Sequence, residues 1–252
     1  MMTTASVARP GAAPQIGGAY DRLFYSGMAV ALALTVFAGF AKTFYLRSLF
    51  GSPVTATGAT FLTPLTQLHG ALFSTWVLLF IVQTTLIANH RVALHRRMGI
   101  AGGVVAAAMV IVGTATAIKA AARGAAPPGI DRSAFLAIPL GDMAVFSILV
   151  VAALRLRRNK EAHKRLMLLA YISIVVAAVA RLPGVLPLGP LGFFGFTFIF
   201  LVIALLYDLA TRRRVHPAYL WGGGLLVASV PLRLMISGTG VWRKFAEFLI
   251  NG

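Results

Sequence analysis

Seven apolar runs, each about the length needed to cross roughly 30 Å of hydrocarbon, recur along the chain at about 23–46, 64–88, 98–121, 134–156, 164–182, 190–209 and 217–237. A run of that length with almost no charge has few places to be stable other than a bilayer. The chain is 59% hydrophobic and 12% charged, against roughly half and a quarter in soluble domains. These features predict an all-α polytopic membrane bundle of about seven helices, with a four-helix core from spans 2–5.

The flanks have their own signatures. Residues 1–22 are rich in Ala, Gly and Pro and offer no apolar face, which predicts a disordered cytoplasmic tail. They lack the apolar centre of a signal peptide. Residues 238–252 place Val241, Phe245, Phe248 and Leu249 at helical spacing with Arg243, Lys244 and Glu247 between them. That pattern predicts an amphipathic helix lying flat on the outer surface.

The net charge of +17 would point to nucleic acid in a soluble chain. Here the bases sit between apolar runs: Arg91, Arg96 and Arg97, then Arg157, Arg158, Lys160, Lys164 and Arg165, then Arg212, Arg213 and Arg214. Such placement predicts membrane orientation and contact with anionic lipid, with no nucleic-acid partner. The amino terminus and basic loops are expected in the cytoplasm and the carboxyl terminus outside. The chain has no cysteine, which excludes disulfides, thiolate metal sites and a cysteine nucleophile.

Two stretches repeat a pattern. "VALHRRMGIAG" (residues 92–102) and "EAHKRLMLLAY" (residues 161–171) each set a histidine and two bases at the start of a span, with Met close behind. His95 and His163 thus stand at one depth on two helices, where a bis-histidine b-type haem could be held. Arg96, Arg97 and Lys164 would then face the propionates, and Gly99, Gly102, Gly103, Ala106 and Ala107 would leave room for a macrocycle. The same residues also suit interfacial anchors and close helix packing.

A second group lies towards the opposite end. His69, Trp76 and Gln83 recur every seven residues on one helix face. Asp142 is the most deeply placed acid and needs a partner. Lys119, Arg181 and Arg233 share its depth, so a polar pocket is expected in which Asp142 pairs with Arg181 or Lys119. The pair Asp208 and Arg212, four apart at a helix end, reads as local and structural. His90 and His95 are five apart and miss the spacing of a helical zinc pair. No HExxH or GxSxG motif is present, so an enzyme acting on lipid has neither a metal motif nor a nucleophile to support it.

His69 in "LHG", "LHRRMG" at 94–99, "HKRLM" at 163–167 and "ARLPG" at 180–184 together resemble a widespread class of uncharacterised bacterial multi-pass membrane proteins. The likeness covers spans 2–5 and implies a bacterial inner (plasma) membrane location without an activity. More distantly, spans 2–5 resemble the four-helix transmembrane cytochromes b that carry two haems. That resemblance implies an inner haem at His95 and His163. It assigns His69 to an outer pair whose second histidine is replaced here by Asp142. The expected function is a b-haem electron-transfer protein, with a quinone or other small molecule as a partner at the outer pocket. The alternative is a non-redox accessory subunit or small-solute carrier using the Asp/Arg/His cluster.

Overall fold

The computed structural model describes residues 17–252 apart from residue 128. Among them the regular structure is helical: α1 Gly17–Phe40, α2 Pro64–Ala88, α3 Val92–Ala122, α4 Arg132–Arg155, α5 Lys160–Val179, α6 Gly189–Arg212, α7 Pro217–Ser237 and α8 Gly240–Asn251. The first seven are long and apolar enough to cross a membrane. The protein is an integral, multi-pass membrane protein.

Helix starts are written locally. Thr63, Asp131, Asn159 and Thr239 each accept a backbone N–H from the first turn of α2, α4, α5 and α8 through a side-chain oxygen. Pro64 and Pro217 open α2 and α7, where the missing N–H costs nothing. The expected tail falls partly outside the described residues, which begin at residue 17. From Gly17 onward the chain is already helical, so Asp21 and Arg22 belong to α1.

The core formed by α2–α5 is enlarged by α1. Helices α2, α3, α4 and α5 pack in chain order, and α1 packs on both α2 and α5, closing a five-membered ring. Helices α6 and α7 lie outside it against α5, with α7 also on α4. This makes α5 the central helix: Leu166, Leu168, Leu169, Ala170, Tyr171 and Ile172 are all fully buried. Inside the ring Trp76 meets Phe146 edge-on at 5.3 Å, and Phe80 of α2 meets Tyr171 of α5 at 4.9 Å. In lipid such close aromatic and small-residue packing carries helix association, because apolar burial alone gains little there.

Helix α8 docks on the bundle through a face other than its Val241, Phe245 and Phe248 stripe. Ala246 and Ile250 bury against Ala121 and Leu136, and the Trp242 indole N–H donates to the Ser133 carbonyl at 2.8 Å. Val241, Phe245 and Phe248 face outward. The helix therefore has an inner face docked on the ends of α3 and α4 and an outer apolar face open to the surroundings.

Candidate functional site: the basic end of the bundle

His95 and His163 are each the fourth residue of their helix, which brings them to one level at the basic end of the ring. Helices α3 and α5 stand on opposite sides of α4, and the two rings meet across the interior. Their centroids are 6.4 Å apart and their planes 81° to one another. Both rings are only partly exposed and neither splays outward.

Each ring is held by its Nδ1. That of His163 lies 2.8 Å from the Ala153 carbonyl of α4. A carbonyl can only accept, so Nδ1 carries the proton and a neutral ring keeps a free lone pair on Nε2. The Gln83 side-chain amide of α2 lies 2.5 Å from His95 Nδ1. Turned one way, its nitrogen donates to Nδ1 while its oxygen meets the Gly99 N–H at 3.0 Å. Turned the other way, its oxygen accepts from Nδ1–H, so the amide and the tautomer are set together. The expected seven-residue stripe on α2 thus ends in a contact with His95.

The three residues His163, Lys164 and Arg165 leave α5 about 100° apart and reach three different neighbours. His163 turns to the ring interior. Lys164 donates to Asp21 of α1 and to Glu161, both at 2.6 Å. Arg165 is fully buried and forms a two-point pair with Asp208 of α6, at 2.9 and 2.5 Å, while its third nitrogen donates to Glu161 at 2.7 Å. Arg212 closes the network on both Asp21 oxygens, at 2.8 and 2.7 Å, and Tyr207 donates to Asp21 at 2.6 Å. Three acids and three bases from α1, α5 and α6 balance one another, as buried charges must.

This network is what sequence reasoning missed. Asp208 and Arg212 are in contact at 3.4 Å, but the main partner of Asp208 is Arg165, 43 residues earlier. The available signal was that three of only six acids, Asp21, Glu161 and Asp208, stand at span ends among bases. Asp208 also accepts the His216 N–H at 3.0 Å, tying in the start of α7. His216 lies outside the spanning segments, and partial burial followed by the charge of Arg165 holds its imidazole below the usual range. A neutral ring lets its Nδ1 accept the Ala218 N–H at 3.0 Å and cap α7.

Of the expected propionate partners, Arg96 and Arg97 are exposed, whereas Lys164 is committed to Asp21 and Glu161. The glycine face of α3 is covered by rotatable side-chain ends. A Cβ on Gly102 would lie 3.2 Å from Leu79, and on Gly103 3.9 Å from Leu154. Among the described residues no three His, Asp or Glu side chains converge as a metal cage.

At the opposite end the expected pocket separates into parts. Asp142 pairs with Arg233 of α7, not with Arg181 or Lys119. Arg233 also donates to Ser229 Oγ at 2.8 Å and to the Ile138 carbonyl at 3.3 Å, and Gly141 makes the room, since a Cβ there would lie 2.7 Å from its side chain. A cavity of about 10 Å³, the space of one water, borders the pair beside Ser173 and Thr197. Arg181 instead lies 4.6 Å over the Phe40 ring and donates to the Ala177 carbonyl. His69 stacks on Phe73 at 4.0 Å, and Lys119 is exposed. The sequence placed these groups at one depth but could not give their azimuth.

Replacing Asp142 with Asn keeps an acceptor opposite Arg233 and removes the charge. The expected loss is about 1–3 kcal/mol, the scale of a hydrogen bond to a charged group, with the fold retained. Thermal unfolding in detergent measures it.

No family model, curated protein or solved structure matches the chain.

Proposed function

We propose that the protein is a membrane-embedded electron carrier that binds one b-type haem between His95 and His163. One observation carries this reading: two imidazoles from non-adjacent helices, each tethered through Nδ1, stand with ring centroids 6.4 Å apart. Two Nε2 atoms bonded to one metal at about 2.0–2.1 Å would put the centroids roughly 6–6.5 Å apart. Two histidines without a further side-chain ligand would suit a haem iron, held by His95 and His163. A bare ion would need further side chains at this place.

His95 and His163 would hold the haem, which would supply a one-electron couple tuned by the hydrogen bonding and burial of these two rings. The chain's own residues do the rest. Ala153 fixes the His163 ring through its carbonyl, the kind of outer contact that sets tautomer and ligand strength. To serve His95 likewise, Gln83 would have to turn its oxygen towards Nδ1 and give up its contact with the Gly99 N–H. Leu79 and Leu154 would shift from the glycine face, and Arg96 and Arg97 would meet carboxylates at the exposed edge. Lys164 and Arg165 hold the start of α5 in place and so keep His163 on the interior side.

Optical spectra of the purified protein, oxidised and dithionite-reduced, test this. A sharp reduced α band is expected, lost in both His163→Ala and His95→Ala. A colourless protein from haem-sufficient cells, or a band that survives both replacements, would overturn the assignment.

A further inference from the structure

A groove of about 380 Å³ opens on the outside of the bundle between α4 and α7, lined by Ser147, Ile148, Val151, Ala152, Arg155 and Trp221. It lies at the basic end. Arg155 is the last residue of α4, and Trp221 is in the first turns of α7. From Ser147 to Arg155 the groove runs about 12 Å along α4.

Its shape follows from the packing beneath it. Helix α7 is seated on α4 and α5 through Gly222, where a Cβ would lie 2.7 Å from Leu169, 3.2 Å from Leu166 and 3.3 Å from Leu149. The neighbouring Trp221 is turned away from that contact and stands 43% exposed as one wall. Ile148 and Val151, 49% and 41% exposed, form the other, and Ala152 leaves the floor low. At the head of this apolar channel the Arg155 guanidinium is exposed, with no hydrogen bond or ion pair to any described residue. None of the lining residues is acidic.

We infer that this groove is a site for one anionic phospholipid, with its phosphate on Arg155 and an acyl chain along Ile148 and Val151 against Trp221. The charge pattern selects the occupant. A free guanidinium at the headgroup level attracts a phosphate, and basic surfaces between helices favour anionic lipid. A zwitterionic headgroup would bring a cation to a lining that holds Arg155 and no acid to receive it. Tryptophan at the interface packs its ring on the chain and offers its N–H to the headgroup region. The inference does not depend on the haem assignment.

Native mass spectrometry of the full chain in detergent tests it, with phosphatidylglycerol and phosphatidylcholine of matched acyl chains and diacylglycerol as the uncharged probe. The expected result is at least about fivefold more phosphatidylglycerol than phosphatidylcholine retained at equal lipid. Arg155→Gln should erase that preference, and Ala152→Phe, which fills the floor, should lower retention of all three lipids. Arg158→Gln, in the loop beyond the groove, should leave the preference intact. Should either groove variant fail to elute as a single helical species, Trp221→Leu replaces it and should lower phosphatidylglycerol retention. Equal retention of phosphatidylcholine or diacylglycerol by the native chain would overturn the inference. So would a preference that survives Arg155→Gln, or one that Arg158→Gln reduces as much as Arg155→Gln.

Discussion

Replacing Asp208 with Ala is expected to destabilise the protein by about 3–5 kcal/mol, the cost of leaving a buried charge without its partner. Asp208 and Arg165 are both fully buried, and Asp208 supplies two of the contacts that hold the guanidinium. Without it Arg165 keeps only Glu161, which is 46% exposed, and the Tyr219 ring at 5.5 Å. Arg212 would lose one contact and keep Asp21. The His216 N–H would also lose its acceptor, loosening the start of α7. Thermal unfolding in a mild detergent should show the variant melting well below the native protein. The double replacement Asp208→Leu with Arg165→Met should recover much of the loss, because a well-packed apolar pair removes the desolvation penalty along with the attraction. A single variant as stable as the native chain would mean that water or lipid headgroups already reach Arg165.

The second large effect concerns a single missing methyl group. Gly39 lies near the end of α1 where it crosses α5. A Cβ there would lie 2.7 and 2.8 Å from the Ala178 carbonyl carbon and Cα, and closer still to the carbonyl oxygen. These are backbone atoms of the central helix, so nothing can rotate aside. Gly39→Ala must push α1 off α5, and a loss of about 3 kcal/mol is expected, at the upper end of overpacking costs. Gly27, on the same helix, is the control: nothing lies within 4 Å of its Cβ position. Gly27→Ala should be neutral or slightly stabilising, since Ala is the better helix former by up to about 1 kcal/mol. Folded yield and melting temperature of the two variants side by side decide the matter. Equal behaviour would show that α1 is not seated on α5 as described.

Both predictions rest on contacts that are long in sequence and short in space. That separates what each level of description could supply. The number of spans, their rough ends and the helical character of the carboxyl-terminal tail follow from local chemistry. Apolar length is set by bilayer thickness, and Thr63, Asp131 and Asn159 mark helix starts by capping within one turn. The repeated His-basic openings likewise set His95 and His163 at one depth, because depth along a helix is only a count of residues from its start.

Azimuth and neighbours are not local quantities. Helices that are apolar all round show little difference between a lipid-facing side and a core-facing side, so rotation about each axis is decided only when the helices meet. For this reason the sequence placed Asp142 near Arg181, Lys119 and Arg233 by depth without choosing Arg233, and gave Lys164 to a cofactor when Asp21 and Glu161 already hold it. Ring closure by α1, the burial of Arg165 against Asp208 and the choice of Ala246 and Ile250 as the docked face of α8 belong to the same class. Each depends on which surfaces can approach closely, as at Gly39 and Gly222, and on which buried charges find partners. The sequence by itself determined the spans and the level of each polar group. Only the tertiary structure decided which of those groups meet, because in a bilayer close packing and charge pairing, not hydrophobicity, select the neighbours.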